Sequence, residues 1–218
     1  MPLPNIGNIR RKIKKEMLER LMALVLIVLL LPVFMVLSLM VVLVDGWPFW
    51  FSHQRLGKDR RKFQMWKFRT MVGDAERIKK SLTTKNEAEG PVFKIHDDPR
   101  FTRLGKYLSH TGIDELPQLI NILKGEMSFV GPRPLPVSEA EKIPGLYGAR
   151  FKVNPGIISP WVVGGYHRVG FNRWMESDVW YVKNKSLWLD LKLCFLTIRV
   201  VLRMLKNETL VLLRLANK

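Results

Sequence analysis

Leu21–Val44 reads LMALVLIVLLLPVFMVLSLMVVLV, an apolar run from which only Pro32 and Ser38 depart. As one straight helix its 24 residues would extend roughly 36 Å at ~1.5 Å each, enough to cross a bilayer core. The flanks argue against a simple span. Arg10, Arg11, Lys12, Lys14, Lys15 and Arg20 precede the run, and Arg55, Lys58, Arg60, Arg61, Lys62, Lys67 and Arg69 follow it. Cationic flanks prefer the cytoplasmic side, so both ends belong there. Pro32 lies near the middle, where a proline removes a backbone hydrogen bond and bends a helix. A re-entrant hairpin satisfies both observations; a kinked single span is the competing reading. No small-residue cleavage site follows, so the segment is read as retained rather than as a secretory signal.

Beyond the run, Trp47, Phe49, Trp50 and Phe51 surround Pro48, the composition of a lipid–water boundary or of plain core packing. Phe63 to Arg69 alternates with period two and predicts a strand, with Lys67 and Arg69 on the face of Phe63 and Met65. Such cations are usually solvated. Residues 73–90 predict a surface helix and loop, and Phe101, Leu104 and Leu108 a short helix that stops near Gly112. From Ser186 onward the chain reads as helix, with Lys192, Arg199, Arg203 and Lys206 on one stripe and leucine, valine and phenylalanine elsewhere. A wide apolar face with a narrow basic stripe fits an interfacial helix on anionic lipid; a core helix with a wet edge is the plainer reading.

Between these lies Gly112-Ile113-Asp114-Glu115-Leu116-Pro117-Gln118-Leu119. Leu116, Leu119, Ile120 and Leu123 recur at helical spacing, and Gly125 ends the pattern. Asp114 falls where an N-cap belongs, and capping alone would explain it. Its company suggests chemistry. Carboxylates can attack phosphorus, and phosphoryl transfer needs in-line positioning with cations around the oxygens. Lys67, Arg69 and Arg133, the last held between two prolines, are the candidate cations. Adjacent carboxylates repel, so one division of labour has Asp114 attack while Glu115 holds Mg2+, which suits oxygen ligands and a diphosphate.

The sequence resembles the bacterial sugar transferases, or monotopic phosphoglycosyl transferases. The resemblance rests on Gln54-Arg55-Leu56-Gly57, Lys67-Phe68-Arg69-Thr70-Met71, Asp98-Pro99-Arg100, Asp114-Glu115-Leu116-Pro117-Gln118, Gly131-Pro132-Arg133-Pro134-Leu135, Pro155-Gly156-Ile157 and Ser186-Leu187-Trp188-Leu189-Asp190, in the family's order. It implies transfer of a sugar phosphate from a UDP-sugar to polyprenyl phosphate, with an aspartyl-phosphosugar intermediate at Asp114 and release of UMP. It also implies the same assignment of Glu115 and Mg2+, the re-entrant helix, and a place on the bacterial cytoplasmic membrane. Arg133 and Asp178 map onto positions associated with the active site, although Asp178-Val179-Trp180-Tyr181 also reads as the start of the last helix. Arg100 and Gln118 are further candidates. Two departures stand out: Leu31 replaces the serine that often precedes the proline, and Ser109, followed by His110, replaces a basic residue five positions before the aspartate.

The expected class is therefore α+β and helix-rich, with a cytoplasmic catalytic domain, a re-entrant helix broken at Pro32 and amphipathic interfacial helices. The divisions are a basic segment over 1–20, the membrane helix over 21–45, the catalytic domain over 46–198 and a C-terminal amphipathic helix over 199–218. A net charge of +17 in 218 residues calls for anionic partners: nucleic acid, anionic lipid or a phosphorylated substrate. No nucleic-acid-binding motif supports the first. No P-loop or dinucleotide glycine fingerprint occurs, so a phosphate site must be assembled from side chains. The lone Cys194 excludes an internal disulfide. A non-catalytic membrane-surface protein would explain the charge but not the acidic pair beside Arg133. The sugar and the oligomeric state, including a homo-oligomer, stay open, and Trp161, Tyr166, His167, Arg168, Arg173 and Trp174 are candidate contacts in the loop-rich region after Pro134.

Overall fold

Pro32 has no N–H to return to Val28, and its ring crowds that carbonyl. The helix parts just ahead of it: α1 (Ile6–Leu29) ends before Leu30, and α2 (Leu31–Asp45) restarts with Pro32 in its first turn. This computed structural model describes residues 6–164 and 170–216; Tyr166, His167 and Arg168 lie outside the described residues. The break expected at Pro32 thus sits at Leu30, because a proline disrupts the turn it follows and is tolerated in the turn it begins. The two helices are bent by 61°. No single helix among the described residues is long and apolar enough to cross a membrane, whereas the bent pair meets that test together.

After the bent helix pair come β1 (Trp50–Leu56) and β2 (Lys62–Phe68), antiparallel from Trp50↔Phe68 to Leu56↔Lys62. Helix α3 (Ala75–Ser81) and α4 (Arg103–Thr111) follow, then a 3₁₀ helix over Ile113–Gln118 that runs into α5 (Leu119–Lys124). Strand β3 (Ser128–Val130), α6 (Val137–Ala140), a 3₁₀ stretch over Gly145–Lys152 and β4 (Gly156–Ile158) lead to α7 (Pro160–Val163). The chain closes with α8 (Phe171–Asn184) and α9 (Leu187–Ala216). Asp178 sits in the middle of α8, so it does not start the last helix. Helices α1 and α9 run unbroken through residues 20 and 199, and the expected divisions there are not breaks in the backbone.

Each arm of the hairpin turns one seam inward. Ala23 packs with Phe63, Met65, Leu119, Ile122 and Met127, and Val41 with Phe68 and Leu108. Fully buried aliphatic side chains such as Ile122 contribute about 1.5–3 kcal/mol each. The other faces remain open, with Leu24, Val28, Met35, Leu39 and Leu43 exposed. Polar bonds lock both arms to the body. Lys15 pairs with Asp190 at the start of α9, and Tyr181 in α8 donates to Asp190 at 2.6 Å, with its hydroxyl oxygen 3.1 Å from the carbonyl of Val130. At the far arm Thr102 donates to Asp45 at 2.7 Å while capping α4.

Asn121 ties β2 to α5. Its Oδ1 accepts from the Trp66 amide at 3.1 Å, and its Nδ2 donates to the Gln64 carbonyl at 2.6 Å and to Glu126 at 2.7 Å. The residue is fully buried. Removing it strands two backbone groups, each worth about 1–3 kcal/mol when left unsatisfied. Asn121→Ala is therefore expected to lower stability by about 2–4 kcal/mol, read from thermal unfolding in detergent. A loss under ~0.5 kcal/mol would mean that water replaces the amide.

Candidate active site

The parallel pairing of β3 with β4, Ser128↔Gly156 and Val130↔Ile158, carries Gly131-Pro132-Arg133-Pro134 against Pro155-Gly156-Ile157. Both glycines are required by contact: a Cβ on Gly131 would lie 2.4 Å from the Asn154 carbonyl, and one on Gly156 2.1 Å from the Gly131 amide. The Pro132–Arg133–Pro134 loop is fixed there by the bond from the Gly156 amide to the Pro132 carbonyl, 3.0 Å. From it Arg133 reaches back to the 3₁₀ helix that carries the acidic pair.

That helix is capped by Gly112, at φ +73°, and not by Asp114. The capping explanation of Asp114 therefore falls away. With only 3% of its surface exposed, Asp114 is turned inward, where Lys67 Nζ lies 3.1 Å from its Oδ2 and 2.9 Å from Glu115 Oε1. Arg133 forks onto Glu115, with Nη1 3.2 Å from Oε2 and Nη2 on Oε1. Burial raises the Asp114 carboxyl, opposed by Lys67 and aided by Glu115. Burial works the same way on Glu115, but Arg133 and Lys67 overcome it and hold that carboxyl far below the usual range. The environment thus separates two chemically similar groups. Glu115 is committed to its cations, whereas Asp114 keeps the higher proton affinity and is the better nucleophile when ionised.

Beyond Arg133 the cations continue. Arg133 Cζ lies 5.7 Å from the ring centre of Trp161, and Lys94 Nζ lies 5.1 Å from the same ring. Trp161 stacks on Trp174 at 4.2 Å and 15°. Arg55 stands close by with its Nη1 3.5 Å from the Pro134 carbonyl, and its buried Nε has no hydrogen-bond partner. Burial first, and then Arg133, lowers Arg55 to about 10, against Glu139, Glu115 and Glu76.

The other candidates have different surroundings. Arg69 donates to the carbonyls of Asp45, Gly46 and Trp47 and closes the C-terminus of α2, so its charge serves the hairpin. Arg100 is buried on Asp98, with Nε 2.9 Å from Oδ1 and Nη2 2.7 Å from Oδ2. Gln118 is almost fully buried, one helical turn beyond the acidic pair. Asp178 accepts from Arg150 Nε at 3.1 Å and Nη2 at 2.8 Å, and the same Nη2 donates to the backbone carbonyl of Arg133 at 2.8 Å. Asp178 thus acts on the loop from behind. Burial outweighs Arg150 and pushes its carboxyl up to about 6. Sequence reading assigned no role to Arg150, since one arginine in a glycine-rich stretch carries no signal until its buried partner is known.

No group of three His, Cys, Asp or Glu side chains arranged to hold a metal occurs among the described residues. Asp114 and Glu115 are oxygen donors of the kind Mg2+ takes, one or two carboxylates completed by substrate phosphate and water, but Lys67 and Arg133 already engage both Glu115 oxygens, so an ion would have to share them.

Residues 10–204 match the bacterial sugar transferase family model. The chain is 45% identical over 159 residues to the galactosyl transferase CpsE of Streptococcus agalactiae, covering 72% of this chain and 35% of that protein. It is 39% identical over 203 residues to the UDP-galactose-lipid carrier transferase of Erwinia amylovora, covering 91% and 42%. Against the undecaprenyl-phosphate galactose phosphotransferase of Salmonella typhimurium the identity is 40% over 163 residues, covering 73% and 34%. The matched stretch therefore spans well under half the length of these relatives.

Proposed function

This chain belongs to the bacterial sugar transferase family, and from that premise we propose that it transfers a sugar 1-phosphate from a UDP-sugar to a polyprenyl phosphate. The carrying observation is the buried Asp114–Glu115 pair under Lys67 and Arg133. The relatives' names supply the substrate classes: UDP-galactose and a lipid carrier in one, undecaprenyl phosphate in another.

In this reading an oxygen of Asp114 attacks the sugar-bearing phosphorus, and the bond from that phosphorus to UMP breaks, UMP leaving with the electron pair. A phosphate oxygen of the lipid then attacks the same phosphorus, and the aspartyl bond breaks to restore the carboxylate. Lys67 steers the carboxylate and balances charge on the reacting phosphoryl oxygens. Glu115, kept ionised by Arg133 and Lys67, would hold Mg2+ together with substrate oxygens. When bound, the ion neutralises diphosphate charge. The apolar outer faces of α1 and α2 support a re-entrant element in the cytoplasmic leaflet, from which a lipid phosphate would reach Asp114. The amphipathic α9 lies against anionic lipid.

The test is UMP release from a panel of UDP-sugars by detergent-solubilised protein supplied with undecaprenyl phosphate and Mg2+. One sugar is expected to give lipid-dependent turnover. Folded protein that releases no UMP from any common UDP-sugar would refute the assignment.

A further inference from the structure

Arg133 has two neighbours of opposite kind: Glu115 on one side and, on the other, an indole that it shares with Lys94. We propose that Lys94 and Arg133 form a single phosphate subsite over Trp161, beside the acidic pair, and that the departing nucleotide phosphate and the incoming lipid phosphate both pass through it. This rests on the reading of Asp114 as the nucleophile.

The geometry of displacement requires the sharing. In-line attack by Asp114 expels UMP on the side of phosphorus opposite the carboxylate, and in-line release of Asp114 requires the lipid phosphate to enter from that same side. One anion replaces another, so one set of cations serves both half-reactions. Lys67 cannot fill this place, because it lies between the carboxylates themselves. Arg133, which grips Glu115, shares the Trp161 ring with Lys94, and Arg55 adds a third positive charge near Arg133. Trp161, held by its stack on Trp174, gives the two cations a common rigid floor.

Lys94 is buried and faces Arg133, Glu115, Glu87 and Lys67. Burial first, then Arg133 and Lys67, lowers its ammonium to about 7 against the pull of the two glutamates.

Two variants test this in the full chain in detergent, with UMP titrated by calorimetry and with undecaprenyl phosphate discharging the sugar-phosphate-loaded enzyme. Lys94→Met, which keeps the apolar stem, is expected to weaken UMP about tenfold or more, as loss of a charge-assisted contact does. It should slow discharge by a similar factor. Lys94→Arg should recover both. UMP affinity of Lys94→Met within twofold of wild type would overturn the subsite, and a loss confined to one arm would overturn its sharing. Failure of the nucleophile reading shows itself separately, as no sugar-phosphate adduct on the wild type, and leaves the UMP titration still decisive for Lys94.

Discussion

Asp114→Asn is expected to abolish sugar-phosphate transfer, lowering UMP release by roughly 10³-fold or more, as loss of a covalent nucleophile does. The substitution preserves shape in a site where Asp114 is almost wholly buried, and the asparagine oxygen can still accept from Lys67. Folding should therefore survive, and the loss should fall on the chemical step rather than on KM. Intact mass after incubation with UDP-sugar and no lipid is the sharper reading: the wild type should gain one sugar phosphate and the variant none. Glu115→Gln leaves the nucleophile in place but removes the anion that Arg133 and Lys67 grip, so its adduct should form slowly rather than not at all. Turnover of Asp114→Asn near the wild-type rate would remove Asp114 from the mechanism.

The second large effect is expected behind the site. Arg150 and Asp178 have side chains only 2% and 0% exposed, and the pair lies 2.8 Å apart. Removing one partner leaves an uncompensated buried charge, which typically costs about 3–5 kcal/mol. Arg150→Met should lower the melting temperature by about 6–20 °C at the usual 2–4 °C per kcal/mol for a chain of this size. Joining it with Asp178→Leu should recover much of that stability, since replacing a whole buried pair by apolar groups is often neutral. Activity should not recover in the double variant, because the bond from Arg150 to the Arg133 carbonyl is still missing. Restoration of both together would reduce the pair to a packing element, and a loss below ~1 kcal/mol in Arg150→Met would mean that water enters and solvates Asp178.

Much of this was readable in the chain. The apolar run with its mid-point proline calls for a bent helix pair, because a missing N–H acts locally, whatever the rest of the protein does. The strand at Phe63, the helix stopping near Gly112 and the end at Gly125 follow from side-chain period and from glycine's freedom at positive φ. The acidic pair and the Pro-Arg-Pro loop were recognisable as candidates because unusual residue types stood close together or in a family's motif order.

Tertiary structure alone decided which cations serve which task. Lys67 and Arg69 sit two residues apart at the end of one strand, yet Lys67 reaches the carboxylates and Arg69 seals a helix end. Period two gave them the same face but not the same neighbours, since those come from segments distant in sequence. Asp114 resembled a cap until Gly112 proved to hold that position. Arg150 and Lys94 gain meaning only when a parallel strand pair and the stacked tryptophans bring distant loops together, and Asp178, already a candidate by its motif position, finds its buried partner there. Sequence patterns record the pressures on each segment, whereas a charge's role depends on which buried partner it meets.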